Sequence, residues 1–192
     1  MRLFQVLMFI PIILLFACGE YSEINPDMSE TVADFSFTTQ DNEVLSLNDL
    51  KGEWWIADFV FTNCETVCLP MTYNMSNLQR KLKENDIDVQ LVSFSVDPDY
   101  DSPEVLKEYA MQYDADFSNW NFLTGYDFQT IRELSIKSFR SLVLAPNNGS
   151  DQVTHGTSFM LVTPDGKYIK SYDGVDADEM DRIVGDLKKV LY

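Results

Sequence analysis

The fold of this chain is decided by the stretch Trp54-Trp-Ile-Ala-Asp-Phe-Val-Phe61-Thr-Asn-Cys64-Glu-Thr-Val-Cys68-Leu-Pro70. Residues 54–61 form an apolar run that only Asp58 interrupts, which predicts a buried β-strand. Inside a helix the ring of Pro70 would clash with the carbonyl four residues earlier, so regular helix is predicted to begin near Cys68. The two cysteines therefore lie at a strand-to-helix turn, with Cys64 in the loop and Cys68 in the first helical turn.

The rest of the chain alternates between strand and helix patterns. Buried strands are predicted at 89–96 and 120–123, hairpins at 35–47 and 157–172, and helices at 69–85, 101–113, 128–139 and 178–190. Ser102 and Pro103 are typical of a helix N-terminus, and 141–152 is predicted to be a loop. This order predicts an α/β domain with a central mixed sheet flanked by helices and an N-terminal β-hairpin. A cysteine pair at the first strand-to-helix turn of such a domain is typical of a thioredoxin-like fold.

The N-terminus has the pattern of an export signal. Arg2 precedes an apolar run that is too short to span a membrane, and the run ends in Leu14-Leu-Phe-Ala-Cys18-Gly. This ending resembles a bacterial lipobox, so residues 1–17 are predicted to be a lipoprotein signal peptide and Cys18 the acylated residue. The alternative is an uncleaved anchor helix. Either way, the domain is expected to be held at the outer face of the cytoplasmic membrane.

Residues 18–32 are polar and acidic and contain Pro26, which predicts a flexible, lipid-anchored tether before a domain at 33–192. The length of 192 residues suits one domain with a sizeable core. The formal net charge of −17 argues against nucleic acid as a partner.

A soft metal site is predicted from the cysteine pair and the single histidine, His155. Two thiolates and an imidazole suit copper, either Cu(I) or Cu(II). Zinc is disfavoured, because structural zinc takes four protein ligands, although a carboxylate or water could complete the set. His155 precedes the strand at 157–162, so it reaches the cysteines only if that strand runs antiparallel to residues 54–61.

Other side chains have both a functional and a structural interpretation. Met71 and Met75 are candidate thioether ligands, but the apolar stripe that they share with Leu78 favours a place in the core. Three aromatic residues are candidates for a docking face, namely Tyr100, Trp120 and Tyr126. The cysteine pair itself could be a structural disulfide, although a bridge that closes so short a loop stabilises little.

Three motifs of residues 33–190 resemble the Sco/SenC family, the thioredoxin-like copper proteins that help assemble cytochrome c oxidase. They are Phe61-Thr-Asn-Cys64-Glu-Thr-Val-Cys68, Ser95-Val-Asp-Pro-Asp-Tyr-Asp-Ser-Pro103 and His155-Gly-Thr-Ser-Phe-Met-Leu-Val-Thr-Pro-Asp-Gly-Lys167. The resemblance implies that Cys64, Cys68 and His155 ligate copper. It also implies that the partner is cytochrome c oxidase subunit II, at whose binuclear copper centre the protein delivers copper or maintains thiols.

The resemblance bears on three further positions. The family places residues 95–103 near the metal, so Asp97 is a candidate for tuning the charge of the site, with a simple turn residue as the alternative. Leu69 stands where the family usually has proline. Thioredoxin-type reductases have a cis-proline near the position of Gly156, and a small residue there would leave room for a metal ion.

Two functions follow. The first is a membrane-tethered copper chaperone for oxidase assembly. The alternative is a thiol-disulfide oxidoreductase in which Cys64 and Cys68 are the catalytic redox pair and reduce the copper-binding cysteines of that partner or of another exported one. Whether the protein is an enzyme stays open at this point.

Overall fold

The computed structural model of the protein describes residues 24–64, 67–147 and 149–192. The predicted signal peptide, the predicted acylation site Cys18 and the first residues of the predicted tether lie outside these ranges. None of the helices in the described part of the chain combines the length and apolar composition that a membrane span requires.

The described residues form an eight-stranded mixed sheet, with the strand order β1-β8-β7-β4-β5-β6-β2-β3. The strands are β1 (Glu30–Thr31), β2 (Ser36–Thr39), β3 (Val44–Ser46), β4 (Trp55–Val60), β5 (Gln90–Ser95), β6 (Trp120–Thr124), β7 (Ser158–Val162) and β8 (Lys167–Asp173). Strands β4, β5 and β6 are parallel, whereas β7 runs antiparallel to β4. The α/β class, the mixed sheet and the N-terminal hairpin of β2 with β3 are therefore confirmed.

Helices cover both faces of this sheet; they are α1 (Cys68–Glu84), α2 (Pro103–Met111), α3 (Phe128–Phe139) and α4 (Glu179–Leu191). The ring of Phe139 in α3 contacts Trp55 and Phe59 of β4, so both aromatic side chains of β4 point to the α3 face. Since side chains alternate along a strand, Asp58 points to the opposite face. Every residue of β4 is buried, as the apolar run predicts for a central strand.

The predicted helix starts are confirmed. Helix α1 begins at Cys68, two residues before Pro70, as the geometry of proline requires. Helix α2 begins at Pro103, and the Ser102 hydroxyl accepts a hydrogen bond from the backbone N–H of Val105.

The predicted flexible tether is wrong for residues 24–32, because this segment packs on the domain. Ile24 and Val32 are buried, and Glu30–Thr31 pairs with the edge strand β8. The backbone N–H of Asp27 donates to the Ile169 carbonyl at 2.9 Å. Two apolar side chains in a polar segment are enough to anchor it when an unpaired strand edge lies alongside. The domain therefore includes residues 24–32 rather than beginning at 33.

Candidate metal centre

The predicted ligands meet at one edge of the sheet. Cys64 follows the carboxyl end of β4, and Cys68 opens α1. His155 precedes β7, and the antiparallel register of Ala57 with Met160 carries the start of β7 to the same edge. The strand after His155 therefore runs antiparallel to the strand before Cys64, which is the arrangement predicted from the sequence as necessary for the histidine to reach the cysteines.

Within the described residues, the two sulfur atoms and a ring nitrogen of His155 form a compact donor group. All three atoms lie within 4.8 Å of one another. The Sγ of Cys68 is 3.2 Å from the Nε2 of His155, and the Cys68 backbone N–H donates to the Sγ of Cys64 at 3.4 Å. Both cysteines are in the dithiol form and buried, whereas His155 is half-buried. Two soft sulfurs and an imidazole at this spacing can close around one small metal ion.

The second ring nitrogen of His155 fixes its tautomer. The Nδ1 atom lies 2.9 Å from the backbone carbonyl of Gly156. Because a carbonyl oxygen can only accept, Nδ1 carries the hydrogen and Nε2 is left with its lone pair directed at Cys68. The Phe61 ring stands edge-on to the imidazole at a centroid distance of 5.8 Å. The histidine is thus held in the orientation that a metal ligand requires.

The environment favours the protonated thiol at Cys68. Its hydrogen bond with the Cys64 side chain and its burial raise the pKa of the Cys68 thiol well above the usual range. Asp58 adds a smaller effect in the same direction, and a backbone hydrogen bond at Phe61 opposes it. A metal that binds here therefore displaces a proton from Cys68.

Asp58 is a buried carboxyl behind the dithiol. Its side chain is 1% exposed, and Oδ1 has no hydrogen-bond partner in the described part of the chain. Burial raises the pKa of Asp58 to about 6, while a hydrogen bond with Ser93 and the proximity of His155 act against the rise. The folded protein consequently holds a proton on Asp58 at pH values where the unfolded chain has lost it.

We expect Asp58 to make the folded protein less stable as the pH rises from about 4 to about 6. A folded-state pKa near 6, against 3.8 for the free carboxyl, implies a loss of about 3 kcal/mol across this interval and no further loss above it. In Asp58→Asn this loss should disappear, as measured by urea unfolding of both proteins at several pH values. The exposed Asp99→Asn serves as the control. A stability difference between wild type and Asp58→Asn that does not change with pH would contradict the prediction.

Asp101 is a structural support of the site that the sequence interpretation missed. It is fully buried and accepts hydrogen bonds from the hydroxyls of Thr62 and Ser95, each at 2.6 Å, and from the Thr62 backbone N–H at 3.3 Å. It thereby ties the loop that leads to Cys64 to the end of β5. The sequence indicated only a helix start at residues 101–104, and an acidic residue before a capping serine carries no signal of burial.

Asp101→Ala is expected to lower the free energy of unfolding by about 3 kcal/mol, because three donor groups, the two hydroxyls and the Thr62 backbone N–H, lose their acceptor. We also expect faster alkylation of Cys64, whose side chain is 7% exposed in the intact loop. Asp99→Ala, two residues away and exposed, is the matched control. An Asp101→Ala protein with unchanged stability and unchanged Cys64 reactivity would show that the loop is held by other contacts.

Asp97 lies at the same sheet edge as the donor group. Its backbone N–H donates to the Ser95 hydroxyl at 3.1 Å. Burial, together with Asp99 and Asp151 nearby, raises the pKa of Asp97. An influence of Asp97 on the charge of the site stays a prediction.

Burial decides the role of the remaining candidate ligands and docking residues. Met71 and Met75 are buried in the core, as the apolar stripe predicts. Trp120 is fully buried, and its indole N–H donates a hydrogen bond to the Ser93 hydroxyl. The hydroxyl of Tyr126 is hydrogen-bonded to backbone carbonyls. Neither residue therefore forms an exposed docking face. Tyr100 is 58% exposed and remains a candidate.

The interpretation of Gly156 as room for a metal ion is wrong. A Cβ at this position would lie 2.6 Å from the Oγ of Ser141, so the missing side chain makes room for the segment that follows α3. Gly156 serves the site through its backbone carbonyl, which orients His155.

Comparison with known proteins finds relatives that all belong to one family. The SCO1/SenC family model matches residues 24–192. A SCO1/SenC family lipoprotein from Bacillus anthracis superposes with a TM-score of 0.83 at 47% identity, over 88% of this chain and 98% of that one. BsSco, a member of the Sco family of cytochrome c oxidase assembly proteins with a disulfide switch, gives 0.79 at 50% identity, over 87% and 96%. Yeast Sco1 with copper bound gives 0.68 at 27% identity, over 83% and 89%. The predicted thioredoxin-like fold of this family is confirmed.

Proposed function

Because the chain belongs to the SCO1/SenC family, we propose that it is a copper-binding protein that assists assembly of the binuclear copper centre of cytochrome c oxidase subunit II. The observation that carries this proposal is the group of three soft donor atoms within 4.8 Å of one another. A copper-bound relative and a relative named as an oxidase assembly protein support it.

In this proposal the ligands are the sulfurs of Cys64 and Cys68 and the Nε2 of His155. The donors fit copper by type, since thiolate sulfur suits Cu(I) and imidazole suits either oxidation state. The site is also preorganised for a metal ion, because the tautomer of His155 already directs Nε2 at the Cys68 sulfur. Copper is the cargo: it leaves when the donor atoms of a docked partner replace the three ligands one after another.

The site is proposed to work outside the cytoplasmic membrane, with acylated Cys18 as the anchor. The lipobox-like sequence before Cys18 and the Bacillus anthracis lipoprotein support this location. A mature protein that begins at a lipid-modified Cys18, identified by mass spectrometry, is the expected result. An intact Met1 would refute the anchor and leave the copper site untouched.

A thiol-disulfide oxidoreductase is the second candidate, and the contact between the cysteines favours it. The two sulfur atoms lie within 4.8 Å of each other, so a small movement brings them to the bonding distance of a disulfide. In BsSco a disulfide switch is known. As a reductase, the protein would pass two electrons to a partner disulfide and keep its own pair as the disulfide, with no need of His155.

A transfer experiment distinguishes the two functions. The reduced, copper-loaded protein is mixed with the metal-free copper domain of oxidase subunit II, and the optical and spin-resonance signals of the binuclear centre are followed. The chaperone function predicts that these signals form, and that they do not form when Cys64 and Cys68 are oxidised beforehand. Reduction of the partner's disulfide without any transfer of copper would make the reductase function the primary one.

A further inference from the structure

The exposed apolar side chains of the protein are concentrated around the candidate metal centre. Eleven large apolar side chains of the described residues are exposed. Six of them lie on the elements that carry the ligands or border them: Leu69, Tyr73, Tyr100, Leu142, Leu144 and Val175. Isolated exposed apolar residues are normal, but such a concentration around a site is typical of an interaction surface.

One half of this surface is built on the start of α1. Leu69 directly follows the ligand Cys68, and Tyr73 lies one helical turn further on, 63% exposed. The neighbouring Asn74 donates its side-chain amide to the Gly174 carbonyl at 2.9 Å, which holds Val175 beside the helix.

The other half borders His155. Leu144 forms a β-bridge with Thr154, the residue before the histidine, and Leu142 lies at the near end of the same segment. Leu142 and Leu144 are 54% and 39% exposed. The ligands thus lie between two apolar borders.

Carboxylates flank the apolar surface on both sides. On one side, Asp99 and Asp151 lie near enough to Asp97 to raise the pKa of its carboxyl. The Asp151 carboxylate also accepts a hydrogen bond at 2.8 Å from the side-chain amide of Asn63, the residue before Cys64. On the other side, the end of β8 and the loop that leads to α4 carry a second group, made up of Asp173, Asp176 and Asp178. Within the described ranges none of these six side chains forms an ion pair.

Basic residues gather at the opposite end of the molecule. Helix α1 carries no charged side chain from Cys68 until Arg80, which Lys81 and Lys83 follow, and α4 ends with Lys188 and Lys189. There Arg80, Lys81, Lys83 and Lys189 each pair with a carboxylate. The carboxylates beside the site have no such ion pair in the described residues, so their negative charge is uncompensated. Such a field attracts and orients a positively charged partner before contact.

We propose that this surface, the docking face, binds a protein partner whose copper-accepting site has an apolar surround ringed by lysine or arginine side chains. The inference rests on the proposed function, since the partner is the protein that receives the copper. A second copy of this chain or an anionic lipid surface would bring like charges against the docking face.

The test follows copper transfer from the full-length protein to the isolated copper domain of oxidase subunit II by stopped flow. Transfer by wild type should slow by about tenfold or more when salt rises from about 20 mM to about 300 mM. Asp99→Lys/Asp178→Lys should slow transfer at low salt by about tenfold and flatten the salt dependence. Tyr73→Gln should also slow transfer by about tenfold, because it removes an exposed aromatic contact.

Matched changes at the far end of the molecule control for net charge and for lost apolar surface. Glu84→Lys/Asp88→Lys makes the same change in charge, and Met111→Gln removes a side chain that is 61% exposed. Both controls should transfer copper at the wild-type rate, and every variant should bind copper as wild type does.

The outcomes separate the docking face from the proposed function. If wild type transfers copper and the docking-face variants match it, the docking face is refuted and the function stands. If wild type binds copper but neither associates with the subunit II domain nor delivers copper to it, both are refuted. Self-association, or binding to anionic vesicles, that Tyr73→Gln abolishes would also overturn the proposed occupant.

Discussion

Replacing His155 with alanine is expected to weaken copper binding by about a thousandfold, which corresponds to about 4 kcal/mol. His155 contributes the only nitrogen donor of the group, and no other histidine exists in the chain to replace it. Its Nε2 is already directed at the Cys68 sulfur at 3.2 Å, so little free energy is lost in orienting the imidazole when copper binds. Alanine leaves two sulfurs and a water-accessible gap.

The measurement is a competition titration of the reduced protein with a copper chelator of known affinity. Phe61→Leu is the matched control, since it removes the ring that packs edge-on to the imidazole but leaves all three donors in place. We expect it to weaken binding far less than His155→Ala. The thiol-disulfide potential of His155→Ala should stay close to that of wild type. Equal copper affinity in His155→Ala and wild type would remove His155 from the site.

Cys68→Ser is expected to have a still larger effect, with a loss of Cu(I) affinity of about ten-thousandfold or more and no sulfur-to-copper charge-transfer band. Cys68 is the central donor, because its thiol is hydrogen-bonded with the Cys64 side chain and its Sγ lies 3.2 Å from the Nε2 of His155. A serine oxygen is a hard ligand and would have to lose a proton in a buried site. Oxidation of Cys64 and Cys68 to a disulfide should abolish binding in the same way, reversibly on reduction.

Met71→Leu is the control for this prediction, because it removes a buried sulfur from the same helix without touching the donor group. Optical and spin-resonance titrations of both variants provide the readout. Normal affinity in Met71→Leu excludes the thioether alternative for this residue. A Cys68→Ser protein that keeps its affinity, or a Met71→Leu protein that loses it, would place the metal elsewhere on α1.

What the sequence predicted well depends on local rules. Pro70 placed the start of α1 at Cys68, and the cap of Ser102 with Pro103 placed the start of α2. The apolar run at 54–61 predicted a central strand, and the antiparallel pairing of β7 with β4 then follows from the fold class. The helix starts and the central strand depend on residues close in sequence, so pattern and propensity suffice for them, whereas the pairing of β7 with β4 depends on the topology of the fold class.

What the sequence did not predict depends on distant partners. The strand Glu30–Thr31 exists because β8 offers an unpaired edge, and two residues carry no periodicity of their own. Asp101 is buried because Thr62 and Ser95 converge on it from other segments. The raised pKa of Cys68 has the same origin, since the hydrogen bond with Cys64 and the burial that cause it exist only in the folded structure.

The most direct test of the copper centre is X-ray absorption of the reduced protein loaded with one equivalent of copper, with His155→Ala measured in parallel. Two sulfur scatterers and one nitrogen scatterer are expected around a single copper ion, and the nitrogen should be lost in the variant. A spectrum without sulfur, or one that the variant leaves unchanged, would contradict a site made by Cys64, Cys68 and His155.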